Sequence, residues 1–213
     1  PARTDDKGLR PLRHQPEGQG SVLVPHPRDA GDAAVPLQDV RPGVGVDVET
    51  GEVGRREAGH GVDARVGVPA GERDLRARVV AGGFDLGLAF DGDADRVFVV
   101  DEAGSGLSGS TTTALLAAAT LRQHPGATIL HNLICSKAVP EVVTELGGNP
   151  VRTRVGHSFI KQVMAETGAE FGGEHSAHYY FARNFNADSG LIASLMVMAE
   201  VGRAGQALSV VRK

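Results

Sequence analysis

Apolar positions along this chain follow two regimes. Before about residue 72, Val, Leu and Ala are broken up by glycine and proline so often that no helical or alternating period is sustained. Beyond that point the pattern becomes regular. Residues 73–80 carry a short helical period stopped by Ala81-Gly82-Gly83, since glycine accepts the positive φ with which helices commonly end. Residues 85–90 and 97–100 read as strands, and glycines 104, 106 and 109 mark a linker. Helices are predicted over 110–122 with a serine cap, over 137–146 closed by Gly147-Gly148, over 158–167, and over 189–201. Strands are predicted over 128–131, 151–154 and 170–172. Strand and helix alternate, which predicts an α/β layer architecture with its chemistry in loops at strand ends.

Composition sharpens the contrast. Residues 1–83 contain no Phe, Tyr, Trp, Ile, Met, Cys or Asn, and a single Ser and a single Lys. Only Val, Leu and Ala remain to build a core there, so residues 1–72 are expected to be irregular and to form no assignable domain. The missing residue types are largely those with A/T-rich codons. An out-of-frame reading or a damaged gene start would account for that, and a disordered tail is the alternative.

The chain has 213 residues and a net charge of −4, enough length for a sizeable core and a sign that suggests neither nucleic acid nor an acidic membrane as partner. One cysteine, Cys135, excludes an intramolecular disulfide framework and makes a cytoplasmic location the expectation. Cys135 itself reads as a small buried residue. No apolar run approaches the ~20 residues of a membrane span. Nothing implies a protein partner.

The densest chemistry lies between the first two strands after residue 84. In Asp91-Gly92-Asp93-Ala94-Asp95-Arg96, three carboxylates alternate with small residues and an arginine closes the run. Carboxylate oxygens are the ligands hard divalent ions prefer, and Mg²⁺ is usually held by a few of them plus a substrate phosphate oxygen. The arginine suggests that phosphate. An EF-hand would share the acidic residues at its first, third and fifth positions and Glu102 at its twelfth. It is rejected because its sixth position, normally a turn-making glycine, is Arg96, and because residues 97–100 read as a buried strand.

Two further motifs follow: Thr153-Arg154-Val155-Gly156-His157-Ser158-Phe159-Ile160-Lys161 and Gly173-Glu174-His175-Ser176-Ala177-His178. Taken with the acidic loop, in this order and spacing, residues from about 73 to about 202 resemble the α-D-phosphohexomutase superfamily, in its phosphomannomutase/phosphoglucomutase branch. The resemblance implies a mixed-sheet α/β fold, with 73–104 as the end of the second domain and 105–213 as the third. It implies Mg²⁺ held by Asp91, Asp93 and Asp95. It implies Glu174 and Ser176 on the sugar hydroxyls, and His178 as a phosphate contact or proton carrier beside Arg96. His157, Lys161 and, on a looser match, Lys137 would contact the substrate.

The implied reaction moves phosphate between O1 and O6 of a mannose or glucose phosphate through a bisphosphate. Its donor in the family is a phosphoserine in a Ser-His-Asn-Pro-type loop. No such loop occurs in this chain, where Ser21 is followed by Val-Leu-Val, and no counterpart of the family's fourth domain is found. The expectation is therefore a fragment without turnover of its own. A metal-dependent phosphatase and a non-catalytic sugar-phosphate-binding remnant are the alternatives. The family usually has glycine where Ala177 stands, so a positive φ there would strain the loop.

Overall fold

A computed structural model describes residues 21–24 and 70–213. The expectations for the rest of 1–72 lie outside the described residues. Ser21–Val24 forms β1, a strand the periodicity did not indicate, paired antiparallel to Leu86–Phe90, β2. The helix expected over 73–80 runs longer, as α1, Ala70–Gly82, and Gly83 beyond it takes φ +64°. Val97–Asp101, β3, pairs antiparallel with β2 and completes a three-stranded sheet in the order β1-β2-β3.

Side chains of β2 and β3 alternate between two buried surfaces, as a period of two requires. Leu86, Leu88, Phe90, Val97 and Val99 enter the main core, while Ala89 and Val100 meet Leu75 and Val79 of α1. The linker expected after β3 is tied down: Leu107 N–H donates to the Val99 carbonyl at 2.7 Å, and Gly106 bridges Val100.

The second sheet has five strands: β4 (Thr128–Asn132), β5 (Asn149–Thr153), β6 (Phe171–Gly173), β7 (Tyr179–Phe181) and β8 (Ala187–Asp188). Their spatial order is β5-β4-β6-β7-β8, parallel across β5-β4-β6 and antiparallel from β6 onward. Strands β7 and β8 were not predicted; at three and two residues they are too short for any period to show. The helices are α2 (Gly109–Gln123), α3 (Ala138–Glu145), α4 (His157–Thr167), α5 (Gly190–Ala204) and the short α6 (Leu208–Val211).

Helix α2 is capped by Ser108, whose hydroxyl accepts the Thr111 N–H, and not from Ser110 as the sequence suggested. Ser110 is instead buried under the loops described below. The main core joins the inner face of β2-β3 to Leu116 and Leu121 of α2, Ile129, Phe171, Tyr179, and Ala193 and Val197 of α5. Each such large aliphatic side chain removed from water contributes about 1.5–3 kcal/mol. A second cluster, Leu130, Ile160, Met164, Ala169 and Tyr180, seats α4 on the opposite face of the five-stranded sheet. Among the described residues no helix is long and apolar enough to cross a membrane.

Candidate active site

The acidic loop leaves β2 at Asp91 and turns back at once, with the Ala94 N–H donating to the Asp91 carbonyl at 3.2 Å. Ala94 has φ +59°, a left-handed conformation that a β-carbon makes costly and that the closely pinned turn imposes. The start of α5 is pressed onto this turn. Gly190 N–H donates to the Ala94 carbonyl at 3.1 Å, and a β-carbon on Gly190 would lie 2.6 Å from the Arg96 carbonyl oxygen. Only glycine fits there.

One oxygen from each of Asp91, Asp93 and Asp95 lies within 4.8 Å of the other two. Arg96 holds Asp91 from two directions: its backbone N–H donates to Oδ1 at 3.1 Å and its Nε to Oδ2 at 2.6 Å. Burial pushes the Asp91 carboxyl up, but these bonds and the guanidinium charge outweigh it and hold the group below its ordinary value. For Asp95 burial comes first and raises the carboxyl, the charge of His178 opposes, and the neighbouring Asp91 and Asp93 reinforce the rise. Asp95 Oδ1 is buried and has no hydrogen-bond partner. A buried carboxylate oxygen without a donor is costly, and a divalent cation among three such carboxylates would satisfy it. The residues therefore fit a hard divalent ion.

The second motif forms the tight connection between β6 and β7. Glu174 N–H donates to the His178 carbonyl at 3.0 Å and Ala177 N–H to the Glu174 carbonyl at 3.1 Å. Ala177 sits at φ +71°, the strained case expected for a β-carbon there, which a glycine would avoid. An antiparallel bridge between Arg96 and His178 then ties the end of this loop to the end of the acidic loop, although they lie 82 residues apart.

His178 consequently faces two carboxylates. Its Nδ1 lies 2.9 Å from Asp188 Oδ2 and 3.7 Å from Asp95 Oδ2. Lys161, from the second turn of α4, places Nζ 3.0 Å from the other Asp188 oxygen. Burial raises the Asp188 carboxyl, but the hydrogen bonds from Lys161 and His178 prevail and lower it.

Glu174 is only 2 % exposed. Asn132 Nδ2 and the Gly156 N–H donate to its Oε1 at 3.0 and 3.2 Å, and the Tyr180 hydroxyl to its Oε2 at 2.7 Å. Asn132 is itself oriented, because its Oδ1 accepts the N–H groups of Ile134 and Cys135. The carboxylate thus joins the ends of β4 and β5 to the β6-β7 connection.

Of the residues singled out in the sequence, Asp91, Asp93, Asp95, Arg96, His178 and Lys161 converge on one place. Ser176 is exposed on the rim of the β6-β7 loop, His157 is exposed at the first residue of α4, and Lys137 is exposed just before α3. Cys135 is half-buried; burial pushes its thiol up, so it is not poised as a nucleophile. Sequence reasoning missed Asp188, Asn132, Tyr180 and Ser110. Asp188 immediately precedes the serine that caps α5, where an acidic residue is ordinary, and Asn132 and Tyr180 carried no signal at all.

The chain is similar to known proteins. The family model described as phosphoglucomutase/phosphomannomutase, α/β/α domain III matches residues 108–213. A phosphomannomutase of Salmonella montevideo is 44% identical over 141 residues, covering 66% of this chain and 31% of the relative. A phosphomannomutase of Escherichia coli K12 is 45% identical over 130 residues, covering 61% and 28%. Among solved structures, a phosphoglucomutase/phosphomannomutase family protein of Burkholderia thailandensis superposes with a TM-score of 0.64 at 31% identity, covering 68% of this chain and 32% of that one. The chain spans about a third of the length of the curated relatives it matches.

Proposed function

Since the chain belongs, through residues 108–213, to the phosphoglucomutase/phosphomannomutase family, we propose that it carries the metal and sugar sites of an enzyme interconverting hexose 1-phosphate and hexose 6-phosphate. The observation that supports this most is the Arg96–His178 bridge, which brings the acidic loop and the β6-β7 loop to one point. A metal loop and a polar sugar loop that serve one ligand must meet.

In this reading Asp91, Asp93 and Asp95 would hold Mg²⁺, which when bound would supply positive charge against the phosphoryl group. Arg96 fixes Asp91 and adds positive charge beside it. Glu174, held rigid by its three donors, keeps one lone pair, on Oε2, to accept from a sugar hydroxyl, with Ser176 alongside. His178, steadied by Asp188, exchanges the proton of the reacting hydroxyl. Lys161, His157 and Lys137 supply donors for the substrate's phosphate and hydroxyls. Phosphate passes from a phosphoserine to the free hydroxyl of the sugar phosphate, giving a bisphosphate, and returns to the serine from the other position. The serine donor lies outside the motifs found in this chain, and mannose and glucose phosphates both remain substrates of the proposal.

The experiment is a calorimetric titration of the chain with Mg²⁺, alongside Asp93→Asn. Asp93 is exposed, so the variant tests the ligand and not the fold. One site is expected in the unaltered chain, weakened roughly tenfold or more in the variant, because one of three charged ligands is lost. Unchanged binding in Asp93→Asn would remove the metal assignment.

A further inference from the structure

Ser110 was read from the sequence as a helix cap, and the structure gives it different work. Its side chain is 4 % exposed and lies where three segments meet. The backbone N–H of Ser136, next to Lys137, donates to Ser110 Oγ at 3.0 Å, and Ser110 Oγ lies 2.9 Å from Nδ1 of His175. The close approach is independently visible at Gly109, where a β-carbon would sit 2.2 Å from the His175 carbonyl oxygen and 2.9 Å from that of Glu174. The first turn of α2 is thus the platform on which the β6-β7 loop rests.

We propose that Ser110 is a positioning residue that holds His175 with its Nε2–H turned outward, making His175 a hydrogen-bond donor to a hydroxyl oxygen of the bound hexose and a determinant of which hexose is accepted. A serine hydroxyl has one hydrogen to give. With Ser136 N–H occupying one lone pair, that hydrogen needs an acceptor; His175 Nδ1 lies at hydrogen-bond distance, whereas the sulfur of Cys135, also beside Ser110, is a much weaker acceptor. Were Nδ1 protonated instead, the buried Ser110 hydrogen would be left with only the weakly accepting Cys135 sulfur, which is the costlier arrangement. The neutral ring therefore carries its proton on Nε2. His175 is partly exposed and lies between Glu174 and Ser176 in the loop, so a donor on its ring is next in the chain to the acceptors already assigned to the sugar. Ser110 also couples this loop to the one bearing Lys137, so losing it relaxes both.

The inference rests on the hexose phosphate reading above, and its test separates the two. Nitrogen-15 NMR of the whole chain at alkaline pH reports the ring directly: a pyridine-type Nδ1 and a protonated Nε2 are expected for His175. The fixed tautomer should be lost in Ser110→Ala and restored in Ser110→Thr, which keeps the hydroxyl. Titration with mannose 1-phosphate and with glucose 1-phosphate, in the presence of Mg²⁺, should show binding about five- to tenfold weaker in Ser110→Ala, the scale of one hydrogen bond. The ratio of the two affinities should change as well. A protonated Nδ1 in the unaltered chain, or a His175 spectrum unchanged by Ser110→Ala, would overturn the positioning role. Uniform weakening with an unchanged ratio would overturn the specificity role. A correct tautomer with neither sugar phosphate bound would overturn the hexose phosphate reading and the donor role of His175, while the Ser110–His175 lock would stand.

Discussion

Replacing Tyr180 by phenylalanine removes one oxygen and tests the rigidity assigned to Glu174. The Tyr180 side chain is 0 % exposed and its hydroxyl is the donor to Glu174 Oε2, at 2.7 Å. Burial first, and then the hydrogen bond to Glu174 and its negative charge, hold the phenol well above its ordinary range, so at neutral pH it is the donor. A hydrogen bond to a charged group is worth about 1.5–3 kcal/mol, and the buried pair leaves little room for water to replace the lost donor. The ring packing with Leu130, Ile160 and Met164 is untouched, so no further cavity contribution is added.

We expect destabilisation of about 2 kcal/mol. In urea, at a slope near ~2 kcal/mol per M, the midpoint should fall by about 1 M, and the thermal midpoint should fall by about 4–8 °C. Tyr179, the neighbouring residue on β7, is the internal control. It is equally buried, but its hydroxyl, beside Thr112, makes no hydrogen bond of normal geometry. Tyr179→Phe should therefore change stability by less than about 1 kcal/mol. A loss below about 0.5 kcal/mol in Tyr180→Phe, or equal losses in the two variants, would refute the reasoning that Glu174 is a satisfied, immobilised carboxylate.

Three other outcomes follow from particular contacts. Gly109→Ala forces a β-carbon against the backbone at His175, so it should cost about 1–3 kcal/mol in thermal unfolding; a neutral result would mean that the loop moves freely on α2. Ala177→Gly relieves a left-handed alanine, worth about 1–2 kcal/mol, but loses a buried methyl of about 0.8 kcal/mol and gains unfolded-chain entropy. It should stay within about 1 kcal/mol of the parent by urea unfolding. Glu102 accepts from the Ser209 N–H at 3.2 Å and from the Ser209 hydroxyl; burial raises its carboxyl, but these bonds and Arg212 prevail and lower it. A depressed carboxyl contributes stability that is present above its unfolded value of 4.5 and is lost as pH falls through the folded value. Amide protection factors in α6, corrected for the intrinsic pH dependence of exchange, should fall below about pH 4.5 in the parent and already be low at neutral pH in Glu102→Gln; pH-independent protection in the parent would refute the clamp.

The local pattern sufficed for most of the helices and for the strands flanking the acidic loop, because periodicity and glycine stops are properties of neighbouring residues. It also exposed Asp91, Asp93 and Asp95, since carboxylates that come from one short loop are close in sequence as well as in space. Glu174 and His178 were legible for the same reason: both sit in one six-residue motif. The strands β7 and β8 were not, being shorter than the two-residue period needs in order to declare itself.

Everything that joins the motifs was decided by tertiary structure. The order β5-β4-β6-β7-β8 carries β6 next to β4, so that Asn132 and Tyr180 reach Glu174 across 42 and 6 residues of sequence. The Arg96–His178 bridge brings the acidic loop to the β6-β7 loop, and the fold of β8 onto β7 delivers Asp188 to His178 and Lys161. Ser110 could be assigned a cap from its neighbours alone, yet its partners are His175 and Ser136, 65 and 26 residues away. A side chain's type fixes which bonds it can make. Which partner it finds depends on the packing of strands and helices that the core side chains hold in place, and no run of adjacent residues encodes that distance.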